Sequence, residues 1–143
     1  MAIRRILIAV DSAPVAAHAA DVAAELAQAL GAEVALINVV ESSFGYPADT
    51  GPPDELIALA KQQASKLISD FRRQLPPQLA VLEFIPVGSP SSEIVKAAKE
   101  WPADLIAIGS HGRRGVSRVL LGSVAEGVMR DAPCPVLVIR AKA

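Results

Sequence analysis

The apolar residues of this chain come in short runs with almost no polar interruption, and that grouping limits its fold more than any other feature. The runs 6–10 (ILIAV), 34–40 (VALINVV), 105–108 (LIAI) and 135–139 (PVLVI) are too short for helices. They also lack the polar alternation of half-exposed strands, so each reads as a strand buried on both faces. Between the first two runs the period changes. Asp11-Ser12-Ala13-Pro14 punctuates the chain, with Ser12 or Asp11 as a helix N-cap and Pro14 in the first turn. Val15, Ala19, Val22, Leu26 and Leu30 then recur at helical spacing, and Gly31 closes the helix as its C-terminal cap. A strand–helix–strand unit of this length calls for parallel strands joined by a right-handed crossover.

The rest of the chain repeats the scheme. Residues 41–53 (ESSFGYPADTGPP) form a long loop in which Phe44 and Tyr46 are candidates to cover a ligand. A helix over 54–75 carries Leu56, Ala60, Ala64, Leu67, Phe71 and Leu75 on one side. The third strand, 81–87 (VLEFIPV), is interrupted by Glu83 and Pro86; proline lacks a ladder donor, which predicts a sheet edge. Gly88-Ser89-Pro90-Ser91 leads into a helix with Ile94, Ala97, Ala98 and Trp101 spaced for burial, Trp101 as a core anchor. After the fourth strand, Ser123 and Glu126 have capping-box spacing at the start of the last helix. Five strands alternate with helices, and no repeat or linker divides them. The predicted fold is α/β: one domain over 1–143, a doubly wound five-stranded parallel sheet with helices on both faces.

Composition removes several function classes. Aromatic residues are 3% of the chain, which leaves little for stacking nucleic-acid bases. The formal net charge is −1, so general attraction to nucleic acid or to an anionic membrane is not expected. No apolar run approaches a membrane span, and the start, MAIRRILIAVDS, lacks the length of a secretory signal. A cytoplasmic protein is expected. Cys134, the single cysteine, sits between Pro133 and Pro135 and reads as a small buried residue; His18 reads as structural.

Chemistry concentrates in residues 105–123. Behind the fourth strand, Gly109, Gly112, Gly115 and Gly122 are interleaved with His111, Arg113, Arg114 and Arg118, and no acid intervenes. Glycines let main-chain N–H groups approach phosphate oxygens, and a helix starting at Gly122-Ser123 adds free N–H groups and a favourable dipole. Desolvated arginines contribute charge-assisted bonds of about 1.5–3 kcal/mol each. The loop alone fits a turn with a solvated arginine face equally well; the helix start and the absence of acid favour an anion site. In doubly wound sheets ligands bind beyond the strands' carboxyl ends, where the winding reverses. Asp11, at the end of the first strand, either accepts hydrogen bonds from a ligand or caps the first helix.

The spacing Gly109-x2-Gly112-x9-Gly122-Ser123 resembles, without a gap, the nucleotide-binding signature of the universal stress protein family. ILIAVDS, INVVES, DLIAIGSHG, LLGSVAEGV and PCPVLVIR extend the resemblance over essentially the whole chain. It implies a Rossmann-like, adenine nucleotide alpha hydrolase-like fold with strand order 3-2-1-4-5, and the branch of the family that binds ATP, often with a divalent cation such as Mg2+ or Mn2+. By matching positions, Asp11 meets the ribose or adenine and Val39 contacts adenine. Gly109, Ser110, His111, Gly112, Arg113 and Arg114 wrap the ribose and phosphates. Gly122, Ser123 and Val124 hold the phosphate tail. Asn38 stands where relatives often have histidine, and Arg113-Arg114 is more basic than many versions.

Three functions compete. The first is an ATP-binding stress or signalling regulator that hydrolyses ATP slowly or not at all. The second is an enzyme of the same fold that hydrolyses ATP or transfers from the α-phosphate, for which no nucleophile–base pair shows in the sequence. The third is a dimeric interaction module with a vestigial site, against which the intact glycines count. The chain has no GxxxxGK[ST], no GxGxxG after the first strand and no HExxH or cysteine cluster. The strand Val136–Ile139 is apolar and free of internal proline; as a sheet edge it invites pairing with a second copy, and the resemblance implies a homodimer there.

Overall fold

A computed structural model describes residues 2–42, 47, 49–111 and 121–140. In chain order the elements are β1 (Arg5–Ala9), α1 (Pro14–Leu30), β2 (Glu33–Ile37), β3 (Val40–Glu41), α2 (Asp54–Gln74), β4 (Val81–Phe84) and β5 (Val87–Gly88). There follow α3 (Pro90–Glu100), β6 (Leu105–Gly109), α4 (Ser123–Asp131) and β7 (Val136–Ile139). The main sheet is parallel throughout, in the order β4-β2-β1-β6-β7. In terms of the five expected strands this is 3-2-1-4-5. β4, which leads to Pro86, lies at one edge, and β7 at the other.

Two cores sandwich the sheet. On one face Ile6, Ile8, Val34 and Leu36 pack against the alanines of α1 and against Ile68 and Phe71 of α2. On the other, Leu7, Ala35, Ile37 and Ile106 meet Ile94 and Ala98 of α3 and Ala125 and Val128 of α4. The winding therefore reverses at β1. Its neighbours β2 and β6 carry the chain away in opposite directions, and the carboxyl ends of these strands open a gap.

Several local expectations are corrected. The second and third strands each divide, at residues 38–39 and 85–86, and their ends form a separate two-stranded ladder of β3 and β5. Pro86 cannot donate, yet its carbonyl still accepts the Val40 N–H at 2.8 Å, so the two segments stay paired past the break. α1 buries Ala16, Ala19, Ala20, Ala23, Ala24 and Ala27; Val22 and Leu26 are only partly buried and Leu30 is 47% exposed. The small side chains bring the helix close to the sheet, and the larger ones flank that contact. The N-cap of α1 is Ala13, not Ser12 or Asp11. Asp11 Oδ1 instead accepts the Ala13 N–H at 2.9 Å, in a side-chain turn just ahead of the helix. Gly31 does close α1, in the left-handed conformation (φ 66°) that favours glycine. α4 starts one residue before the expected capping box: Gly122 is its N-cap, without a side-chain cap. Trp101 ends α3 and meets Phe84 edge-to-face at 6.1 Å, as an anchor should.

Candidate functional site

A cleft of about 500 Å³ lies over the carboxyl ends of β1, β2 and β6 and crosses from one face of the sheet to the other. That volume falls within the range of small-molecule sites, about 300–1,000 Å³. Asp11, Val39, Gly109, His111, Gly122, Ser123 and Val124 all line it. Ser110 does not; Gly112, Arg113 and Arg114 lie outside the described residues, as do Phe44 and Tyr46.

Gly109 ends β6 directly beneath α1. A Cβ at this position would stand 2.7 Å from Val15 Cγ1, so the valine would have to shift, and helix packing favours glycine here whatever it does for a ligand. Ser110 is 4% exposed, and both of its main-chain groups are engaged. Its N–H donates to the Ile139 carbonyl at 2.8 Å, and its carbonyl accepts the Gly122 N–H at 2.7 Å. The second bond closes the base of the glycine loop and pins the start of α4 beside the end of β6. Ser110 Oγ lies 3.1 Å from His111 Nδ1, a hydroxyl–imidazole pair that the sequence did not reveal.

Two sets of main-chain groups at the cleft have no hydrogen-bond partner among the described residues. The first belongs to α4. Its first hydrogen bond runs from the Glu126 N–H to the Gly122 carbonyl at 3.0 Å, so the N–H groups of Ser123, Val124 and Ala125 precede the helix's own ladder. The helix dipole gives this end partial positive charge, worth about 0.3–1 kcal/mol to an anion. The second set belongs to Val39. Along β2 and its continuation, Val34, Asn38, Val40 and Ser42 donate toward the third strand, to Ala80, Phe84, Pro86 and Gly88. Val39, one residue out of phase, faces the first strand just beyond the last ladder bond, from the Val10 N–H to the Ile37 carbonyl at 2.9 Å. Its N–H and C=O make no hydrogen bond among the described residues.

The side chains around these groups are mixed. Val39, Val124, Ile94 and Ile108 supply apolar walls on the α3/α4 face, and Val15, Ala16, Ala64 and Leu67 on the α1/α2 face. Asp11 and Glu41 are the carboxylates of the described lining, which contains no lysine or arginine. α2 and α3 also contribute to the lining, with Ala60, Gln63, Ala64, Leu67 and Ile94, none of them a site candidate from the sequence. Their place in the cleft depends on helix packing, for which a single sequence carries no local signal. Among the described residues no group of three or more His, Cys, Asp or Glu is arranged to hold a metal ion.

Comparison with known proteins agrees with this architecture. The family model described as "Universal stress protein family" matches residues 2–140. The chain belongs to the universal stress protein family. Universal stress protein MJ0531 of Methanocaldococcus jannaschii is 37% identical over 143 residues, covering 96% of this chain and 82% of that protein. The solved structure of MJ0577 from the same organism superposes with a TM-score of 0.90 at 28% identity, covering 100% of this chain and 99% of the other. A universal stress protein from Archaeoglobus fulgidus, solved in complex with dAMP, is 30% identical with a TM-score of 0.67, covering 97% and 99% of the two chains. No helix among the described residues is long and apolar enough to cross a membrane.

Proposed function

We propose that this universal stress protein binds ATP in the cleft and acts as a nucleotide-dependent stress or signalling regulator. The observation that carries the reading is the convergence of unpaired main-chain groups from Val39 and from the start of α4 on one cleft. A donor and an acceptor on one strand residue complement the edge of an adenine ring, and free N–H groups at a helix start complement phosphate. The dAMP-bound relative supports an adenine nucleotide as the ligand class.

In this reading Val39 holds the base. Asp11 meets the ribose side; its Oδ2 takes no hydrogen bond among the described residues. Gly122, Ser123 and Val124 hold the phosphate tail, while Gly109, Ser110 and His111 shape the base of the loop. Gly112, Arg113 and Arg114 complete the wrap around ribose and phosphates and supply the positive charge that the described lining lacks. A divalent cation, Mg2+ or Mn2+, neutralises part of the triphosphate charge when bound.

In this reading the protein holds ATP and hydrolyses it slowly or not at all. The Ser110 hydroxyl beside His111 Nδ1 is buried and outside the cleft lining, so it is poorly placed to attack a phosphate. The β7 edge is open in the monomer and is the surface through which a homodimer would pair. The test is to denature the purified protein and identify any released nucleotide, then titrate the stripped protein with ATP by calorimetry. Saturable one-site binding supports the reading; no binding at millimolar ATP rejects it. Light scattering on the same sample reads the dimer, which a monomer at high micromolar concentration would rule out.

A further inference from the structure

We infer that Asn38 is a positioning residue: its side-chain amide takes the acceptor that Val39 would otherwise engage, and so keeps the Val39 main chain available to a bound base. The inference rests on the nucleotide reading above and adds a device to it.

The register of β1 and β2 leads up to Val39. In a parallel pair, each bonded residue donates to one neighbour on the facing strand and accepts from the neighbour two positions further on. The pairing begins with the Glu33 N–H donating to the Arg4 carbonyl at 2.9 Å, and proceeds through Ile6↔Val34, Ile8↔Leu36 and Ala9↔Ile37. Its last bond is the Val10 N–H to the Ile37 carbonyl, at 2.9 Å. One more step would join the Val39 N–H to the Val10 carbonyl. That bond is not made. The Val10 carbonyl instead accepts from Asn38 Nδ2 at 2.8 Å.

Asn38 is well placed to substitute for the missing rung. Its own N–H is fixed by the Phe84 carbonyl at 3.1 Å, it is half-buried, and it lines the cleft beside Val39. An amide supplies the donor that a carbonyl needs; a carboxylate would oppose acceptor to acceptor, and an aliphatic side chain would supply nothing. The side chain thus ends the ladder one residue early without leaving the Val10 carbonyl unpaired. Val39, next in line, keeps both its donor and its acceptor facing the cleft.

The experiment compares the wild type with Asn38→Leu, Asn38→Ala and Asn38→Gln. Amide hydrogen exchange on the nucleotide-free proteins reads the rung itself. The Val39 amide should exchange rapidly in the wild type. In Asn38→Leu and Asn38→Ala, where the Val10 carbonyl is free to accept it, it should slow by about tenfold or more. Calorimetry with adenosine and with inorganic tripolyphosphate then separates the base from the phosphate tail. Both donor-free variants should lose about tenfold in adenosine affinity while tripolyphosphate binding stays as in the wild type. Asn38→Gln, which keeps an amide, should restore much of the loss. The proposal is overturned if the Val39 amide is already protected in the wild type, or if adenosine affinity is unchanged in both donor-free variants. In the second case ATP binding by the wild type would leave the nucleotide reading standing; if the wild type binds neither adenosine nor ATP, both fall together.

Discussion

At the amino ends of β1 and β6 the main chain is tied down by side chains, whereas at the carboxyl ends of the same sheet several main-chain groups are left unpaired. Asp104 Oδ2 accepts the N–H groups of both Arg4 and Arg5, at 2.9 and 3.0 Å, while its own N–H donates to the Arg5 carbonyl at 2.8 Å. The Arg5 guanidinium donates to Glu33 at 2.8 Å and to the Trp101 carbonyl at 3.2 Å, and lies 5.6 Å from the centre of the Trp101 ring. The opposite end has the free N–H groups of α4 and the open donor–acceptor pair of Val39, both over a cleft. One end closes the fold and the other presents it to a ligand. A single sheet can do both because parallel strands put all their carboxyl ends on one side.

If that division is right, substitutions at the two ends should separate binding from stability. The largest effect is expected for Gly122→Asp. Gly122 is the N-cap of α4, and aspartate is a favoured N-cap whose carboxylate accepts the N–H groups of the first turn. Those are the groups assigned to phosphate, so the variant occupies its own anion site. ATP affinity measured by calorimetry should fall by at least about 100-fold, roughly 2.7 kcal/mol, with thermal stability unchanged or slightly raised. Retained affinity would remove the phosphate assignment. At the other end, Asp104→Ala deprives the exposed Arg4 N–H and the part-buried Arg5 N–H of their shared acceptor. Unfolding in urea should show a loss of about 1–3 kcal/mol, with ATP affinity as in the wild type.

A smaller effect tests the one place where the ligand end also carries packing. Gly109→Ala drives a Cβ into Val15 and should cost about 1–2 kcal/mol, because the valine can shift only partly. Combining it with Val15→Ala should recover most of the loss, and a double variant as unstable as the single one would refute the steric account. The smallest effect concerns pH. Cys134 is half-buried, not fully buried as its sequence suggested; that partial burial, and secondarily the negative charge of Asp104, raise its thiol pKa above the ordinary 9.0. The folded state therefore resists ionisation while the unfolded chain ionises freely. Stability should be undiminished below pH 9 and decline as the pH rises through the raised value. Cys134→Ala should lack that component, and superimposable pH profiles for the two proteins would contradict it.

The sequence made the sheet legible because four of the five strands are runs with no polar alternation, and it made an edge legible because Pro86 removes a donor from the remaining one. It was silent where the decisive term is tertiary. A hydropathy stripe ranks Val22, Leu26 and Leu30 above the alanines, yet the space over β1 and β6 selects Ala19, Ala20 and Ala23. The glycine spacing marked the ends of the loop, but not that Gly109 answers to Val15 or that Ser110 is buried beside the cleft and not in its lining. Asn38 is a single polar residue in an apolar run. Its importance depends on a bond to Val10, 28 positions earlier, and becomes visible only when the strands are in register.

The central claim is that the carboxyl end of the sheet binds ATP through main-chain groups held open at Val39 and at the start of α4. It is tested most directly by following backbone amide resonances during a titration of the nucleotide-free protein with ATP. The account predicts saturable shifts at Val39 and at Ser123, Val124 and Ala125, while Arg4, Arg5 and Asp104 at the far end stay in place. No saturable shifts at millimolar ATP, or shifts concentrated around Arg5 and Asp104, would contradict it.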